Sequence, residues 1–264
     1  MSVDVPRRND GFVWAVRDTL AMIGRNLTVI RRVPQLLVFS FVQPLIFVFM
    51  FRYVFGGAIK VPGGSYVDYL MPGVFVQTVA FGAINTAIGL AEDKNKGLLE
   101  RLQSLPMSRS AVLAGRVLAD TIRNVLIVSL MLVVGTMVGF HTHTNALKVA
   151  AGVALMVLFG LALCWLFALI GLAVPNGEAA QAAAFPLFAP LVFASSAFVD
   201  PRTMPGWLRW WAERQPVSIA AKGVRALMLG GPQFPMDYVW ASIAWSLGIS
   251  AVLAPLAVRK FRRT

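Results

Sequence analysis

From Val149 to Ala173 the chain reads VAAGVALMVLFGLALCWLFALIGLA, 25 residues without a charged side chain or a proline. A bilayer's hydrocarbon core is about 30 Å thick and takes roughly 20 helical residues to cross. Backbone polar groups in lipid must be satisfied within the protein, which leaves helices or closed barrels. A barrel strand needs only about ten residues, so this stretch is a membrane-spanning helix. Five more apolar stretches of similar length flank it: Pro34 to Phe55, Tyr69 to Leu90, Val117 to Phe140, Ala180 to Val199 and Tyr238 to Val258.

The whole composition agrees with lipid as the main solvent. Hydrophobic residues make up 58% of the 264, charged residues only 14%, and the mean hydropathy is +0.70. No polar segment is long enough to form a separate soluble domain, so the chain reads as one membrane domain, 1–264. The expected fold is an all-α integral membrane protein. It has six transmembrane helices, an N-terminal interfacial amphipathic helix and short re-entrant external helices before the last span. Cys164 falls inside an apolar run as the single cysteine and packs as a small hydrophobe. Upstream of the first span, Arg7 and Arg8 are not followed by an apolar core with a small-residue cleavage site, so the first span itself is the expected insertion signal.

A net charge of +12 raises nucleic acid as a partner, and the placement of the charges excludes it. Of 24 Lys and Arg, six precede the first span, six lie between Lys94 and Arg123, and four close the chain. With six spans all sixteen fall on one side, and basic loops stay cytoplasmic. The expected location is the cell's inner membrane, with both termini in the cytoplasm. The exception is the stretch after the fifth span, which carries Arg202, Arg209, Arg214, Lys222 and Arg225 on the outer side.

Three segments between the spans are informative. In residues 10–32, Val13, Val16, Leu20, Ile23, Leu27 and Ile30 recur at intervals of three and four, with Arg17, Asp18, Arg25 and Asn26 off the stripe. That spacing predicts a helix lying in the interface, ended or kinked at Pro34. In residues 92–108, Leu98, Leu102 and Leu105 share one helical face beside Leu99, Gly97 loosens the start and Pro106 ends the run. This short amphipathic helix is either a solvated connector or a contact for a cytoplasmic partner. In residues 200–235, Pro201, Pro205 and Pro216 forbid one continuous helix, and Trp207, Trp210 and Trp211 suit a headgroup layer. Short helices that enter the outer leaflet and return are expected there.

The run Glu92-x4-Gly97-x2-Glu100-Arg101-Leu102-x3-Pro106-x-Ser108-Arg109 resembles the cytoplasmic coupling loop of type 2 ABC exporter permeases. Ser195-Ser196 through Trp211, then Gln215-Pro216-Val217-Ser218 and Gly230-Gly231-Pro232, are similar to the signature segment of the same family, nearest its daunorubicin-resistance branch of drug and lipid exporters. The two matches, in order and separated by the expected spans, extend the resemblance over the whole chain. It implies a permease subunit that works with a separate ABC ATPase and a second permease copy, identical or not. Glu92, Gly97, Leu98, Glu100, Arg101, Leu102, Leu105 and Pro106 would then contact the ATPase. The implied cargo is hydrophobic drugs or lipid-like molecules; a polysaccharide or glycolipid is the alternative within the superfamily.

No Gly-x4-Gly-Lys-Ser/Thr phosphate loop occurs in the chain, so ATP and Mg are expected on the partner subunit, with no cofactor on this one and no enzymatic activity of its own. His141 and His143, two apart without a nearby third ligand, make a poor metal site. No constellation of residues for catalysis is present. Arg116 and Asp120 fall at i and i+4 and predict a local ion pair near the third span's start, with Arg123 snorkelling beside it. Glu178 suits the N-terminus of the fifth span. A proton-coupled carrier, or a membrane scaffold without transport, remains the reading from a different class. An apolar pathway between two subunits would be lined by residues such as Phe47, Phe75, Gln77, Thr78, Asn85 and Phe188.

Overall fold

The computed structural model describes residues 12–32, 34–54, 65–103 and 109–261. It is all-helical, with no strand among the described residues. In chain order the helices are α1 (Phe12–Arg32), α2 (Pro34–Phe49, continued by a π-turn over Met50–Val54), α3 (Tyr66–Asn95), α4 (Leu98–Gln103) and α5 (Arg109–Met137). There follow α6 (Ala146–Ala173), α7 (Gly177–Phe193), a 3-10 turn (Pro201–Thr203), α8 (Gly206–Arg214), α9 (Pro216–Met228) and α10 (Asp237–Phe261).

Four of these helices are long and apolar enough to cross a bilayer: 66–95, 110–137, 146–173 and 237–261. Two more apolar helices, Ser40–Val54 and Gly177–Phe193, are shorter, where six full-length spans were expected. The chain leaves helical geometry at Ala194, several residues before the Val199 boundary expected from hydropathy alone. Pro186 and Pro190 each remove a helical N–H from α7. Ser195 then folds the chain away: its hydroxyl donates to Val192 O at 2.5 Å and accepts from Ala197 N at 3.0 Å.

α3 is the central helix, packed against α5, α6, α7 and α9. Lipid is as apolar as leucine, so helices in it gain little from hydrophobicity and associate through close packing and polar bonds. α3 presents Ala80, Gly82, Ala83, Ala87 and Ala91, all buried, while α6 offers Gly160, Ala168 and Gly171. The larger side chains interlock around them, with Phe75 edge-on to Phe140 at 5.8 Å and Phe81 edge-on to Phe188 at 5.6 Å. Cys164 is fully buried in this core.

Hydrogen bonds and ion pairs sort the connections into two ends. At one end His143 reaches Asp68, its backbone N–H donates to Met228 O, and the Tyr69 hydroxyl donates to Ser196 O. At the other end Lys94 donates to Leu172 O and Val174 O, and Arg116 pairs with Asp93. α3, α5 and α6 therefore run in alternating directions.

α1 lies against α5. The side facing inward is Asp18, Met22 and Asn26, all buried, while Val16 and Leu20 of the apolar stripe are exposed. An amphipathic helix with its polar side toward the protein and its apolar side outward fits an interfacial position. α2 opens at Pro34, as the proline predicts; Asn9 and Asp10, the expected caps of α1, lie outside the described residues.

Candidate functional site

The end of α3 and the whole of α4 form one turn. Lys96 caps α3, donating its N–H to Glu92 O at 2.9 Å, and its ammonium pairs with the Glu92 carboxylate at 3.4 Å. Gly97 then takes φ +65°, a left-handed conformation that a side chain would strain. The chain reverses there into α4, with Arg101 N donating back to Gly97 O. The apolar face of α4 is turned differently from expectation. Leu99 is its buried residue, Leu102 is half-buried against this chain's own core, and Leu98 is half-buried. Glu92, Glu100 and Arg101 are exposed. α4 is only six residues long, and its packing against α3 decides which leucine is buried. Leu105 and Pro106 lie outside the described residues.

Directly behind this turn lies a buried polar knot. Asp120 accepts from the Thr86 hydroxyl at 2.8 Å and from Arg116 Nε at 3.2 Å, and pairs with Arg123 at 3.3 Å. Arg116 also reaches Asp93 on α3 at 3.2 Å. The expected i to i+4 pair of Arg116 and Asp120 is present. Arg123 does not snorkel: it is buried and donates to Gly82 O at 2.9 Å. Asp93 and Thr86 were missed from sequence because both lie on another helix and only the packing of α3 on α5 brings them near. Charges this deep persist when paired and hydrogen-bonded. At the same end Asn176 caps α7 through its side-chain oxygen, and Glu178 sits in the first turn as expected.

The signature segment is organised by a second set of buried polar residues. Gln215 caps α9 by accepting from Val217 N, and its amide donates to Leu191 O at 2.8 Å and to the Ser218 hydroxyl at 3.1 Å. Ser218 accepts from Ser196 N at 2.9 Å. Two turns further along α9, fully buried Arg225 donates to Tyr69 O and Ala197 O, each at 2.9 Å, with its guanidinium 3.7 Å from the Tyr69 ring centre. Ser195, Ser196, Gln215 and Ser218 thus pin the end of α7 to α9, and Arg225 adds the start of α3. Pro201, Pro205 and Pro216 stand at the starts of the 3-10 turn, α8 and α9, as their chemistry requires. Trp207 and Trp210 are exposed, with Trp211 on the same face of α8.

The cations of this segment are held by different contacts. Arg209 pairs with Glu213 at 2.7 Å, and that hydrogen bond holds the Glu213 carboxyl below its usual range. Arg214 lies over Trp210 and Lys222 over Tyr238, at 5.1 and 4.8 Å from the ring centres. Neither histidine approaches a third ligand; both engage Asp68, His141 through its backbone.

Of the six residues named for a pathway, Phe75, Gln77, Thr78 and Phe188 are buried inside this subunit, and Phe47 and Asn85 are half-buried. α3 is covered on nearly every side, so its composition carries no mark of an open face. Phe47 joins Phe51, Phe193 and Phe198 in an aromatic cluster between α2 and the end of α7.

Residues 17–229 match the family described as ABC-2 type transporter. The chain is 34% identical over 248 residues to the daunorubicin resistance ABC transporter permease protein DrrB1 of Streptomyces coeruleorubidus, covering 94% of this chain and 87% of that protein. It is 27% identical over 203 residues to the doxorubicin resistance ABC transporter permease protein DrrB of Mycobacterium tuberculosis, covering 75% and 70% of the two. With this family match, its apolar long helices and the two segments built as described, the chain is a multi-pass membrane permease of the ABC-2 type transporter family.

Proposed function

We propose that this chain is half of the translocation unit of an ATP-driven exporter that moves hydrophobic drugs or lipid-like molecules outward. The observation that carries the reading is the 34% identity to a drug-resistance permease along nearly its whole length. A separate ATPase subunit supplies ATP and Mg, and a second permease copy completes the pathway. The two shorter apolar helices complete six crossings, with the α4 end and both termini in the cytoplasm of the inner membrane. The basic residues at that end support this orientation. A proton-relay carrier is disfavoured, because Asp120 is committed to Arg116, Arg123 and the Thr86 hydroxyl rather than facing a chain of further acids or histidines among the described residues.

Overproduction with the cognate ATPase should lower cellular accumulation of a hydrophobic cationic drug. The effect should vanish when the phosphate-loop lysine of the ATPase is replaced. Export that survives this change and collapses with the proton gradient would overturn the reading; loss of surface glycan alone on deletion would favour the polysaccharide alternative.

Coupling is assigned to α4, with Glu100 and Arg101 as its outward contacts and Leu98 and Leu102 on its flank. Leu102→Asp places a charge in an apolar contact without a partner and is expected to abolish ATP-dependent export while the protein still inserts. The charge reversal Glu100→Arg, at an exposed position, should weaken copurification of the ATPase without lowering the melting temperature. Wild-type transport in both variants removes coupling from this helix.

Topology is checked with single cysteines in a Cys164→Ala background. Cysteines at exposed Thr142 and Thr203 are expected to react with an impermeant thiol reagent added outside, and one at exposed Asn95 only after the membrane is opened. Protection of Thr203→Cys in intact cells would place the signature segment on the cytoplasmic side and end the six-crossing arrangement.

A further inference from the structure

Between α8, α9 and the start of α10 lies a cavity of about 340 Å³, within the range of small-ligand sites. Arg202, Arg209, Lys222 and Arg225 line it, against two carboxylates, Asp200 and Glu213. The acids are already engaged. Glu213 is paired with Arg209, and Asp200 accepts the Arg202 backbone N–H at 3.0 Å. Arg202 and Lys222 have no side-chain ion pair among the described residues. Arg225 contributes its charge to the wall: its Nε and Nη2 are spent on carbonyls, and Nη1 is enclosed without a hydrogen-bond partner among the described residues. A fully buried guanidinium without a carboxylate partner favours an anion nearby. Gln233 adds a neutral donor at the wall.

We propose that this cavity binds a phosphate oxyanion, with Lys222 and Arg202 as its donors and the buried charge of Arg225 behind them. Tetrahedral oxygens offer several acceptors at once to a guanidinium edge and an ammonium, which a halide or a single carbonyl does not. Burial lowers the affinity of Lys222 for its proton, and an anion in the cavity reverses that by restoring a counter-charge. The phosphate has two possible sources, a phospholipid headgroup or a free soluble phosphate. The surroundings favour the lipid. On α8, Trp207, Trp210 and Trp211 occupy one face and Arg209 and Glu213 the opposite one, at the cavity. Indole rings settle at headgroup depth, which brings the cavity level with phosphodiesters of the leaflet. Only this choice of source rests on the outer-leaflet placement proposed above; the oxyanion chemistry does not.

The full-length protein, purified in a non-ionic detergent, is titrated with dihexanoyl phosphatidylglycerol, with inorganic phosphate, and with dihexanoylglycerol as the phosphate-free control. Binding is read as a ligand-induced rise in melting temperature. The phospholipid should give a saturable rise and the control none. Arg202→Gln combined with Lys222→Gln should weaken it by roughly tenfold or more, the scale of one charge-assisted hydrogen bond. Arg202 has no side-chain ion pair among the described residues, and Lys222 gives the fold one cation–π contact with Tyr238. The ligand-free melting temperature of the double variant should therefore fall only slightly, and it is the ligand-induced rise that is compared. Lys222→Arg, which keeps the cation over the ring, should retain both the ligand-free value and binding. Inorganic phosphate binding as tightly as the phospholipid supports the oxyanion site with a soluble ligand. No saturable binding, an equal response to the phosphate-free control, or unchanged binding in the double variant overturns the proposal. Because the readout is binding by the permease alone, a failure of drug export leaves it unaffected.

Discussion

Asp120→Leu is expected to cost about 3–5 kcal/mol of stability, the scale found when one member of a buried ion pair is removed. Asp120 holds three groups at once: Arg116, Arg123 and the Thr86 hydroxyl. Arg116 keeps Asp93 after the substitution, whereas Arg123 keeps only its bond to Gly82 O among the described residues. The leftover charge, rather than the lost bonds, dominates the effect. Asp120→Leu with Arg123→Met should therefore recover most of the loss, because it removes charge and counter-charge together. The measurement is the melting temperature of the purified proteins alongside their abundance in membranes. A single variant as stable as wild type would mean that the knot contributes nothing, and a double variant no better than the single would assign the loss to Thr86 and packing.

Gly73→Ala should be the most damaging single methyl addition on α3. A β-carbon there would overlap the carbonyl of Ala197, a backbone group that cannot rotate aside. Overpacking of this kind costs about 1–3 kcal/mol and more where backbone must move. Ala197 O is also an acceptor for Arg225, so its displacement loosens the joint of α3, α7 and α9. Gly24→Ala is the matched control, since no atom lies within 4 Å of its added carbon. It should leave stability equal or raise it by about 0.5–1 kcal/mol through helix propensity. Thermal unfolding reports the difference, and trypsin should cut sooner at Arg202 and Arg209 in the Gly73 variant. Coincident melting of Gly73→Ala and wild type would sink the prediction.

What the sequence made legible was whatever one helix decides by itself. Hydropathy placed spans at 69–90, 117–140, 149–173 and 238–258, inside or overlapping the helices at 66–95, 109–137, 146–173 and 237–261, and proline and glycine positions located the breaks at Gly97, Pro201, Pro205 and Pro216. The Arg116 and Asp120 pair was readable because both lie on one helix face. Properties set between helices were not readable. Leu99 rather than Leu102 is the buried leucine of α4 because of how α3 closes over it. Arg225 looked like one more cation in a basic external stretch, yet it is fully buried on carbonyls from two distant segments. Its carbonyl partners lie 156 and 28 residues away, and carbonyls carry no signature in side-chain identity. The end of α7 was misplaced for a related reason: Ala194 to Val199 is apolar enough to span, while the hydroxyl bonds of Ser195 fold it into a turn.

α3 spans 30 residues, and at 1.5 Å per residue it makes a rod of roughly 45 Å. One tip carries α4; near the other, the carbonyl of Tyr69 holds Arg225 at the wall of the cationic chamber. The Asp120 knot braces the rod sideways as a fulcrum does a lever, and Pro72, which removes a helical N–H, sets the place near the far tip where it can bend. On the coupling role proposed for α4, a partner's contact at one tip and the chamber at the other would therefore share a single mechanical element.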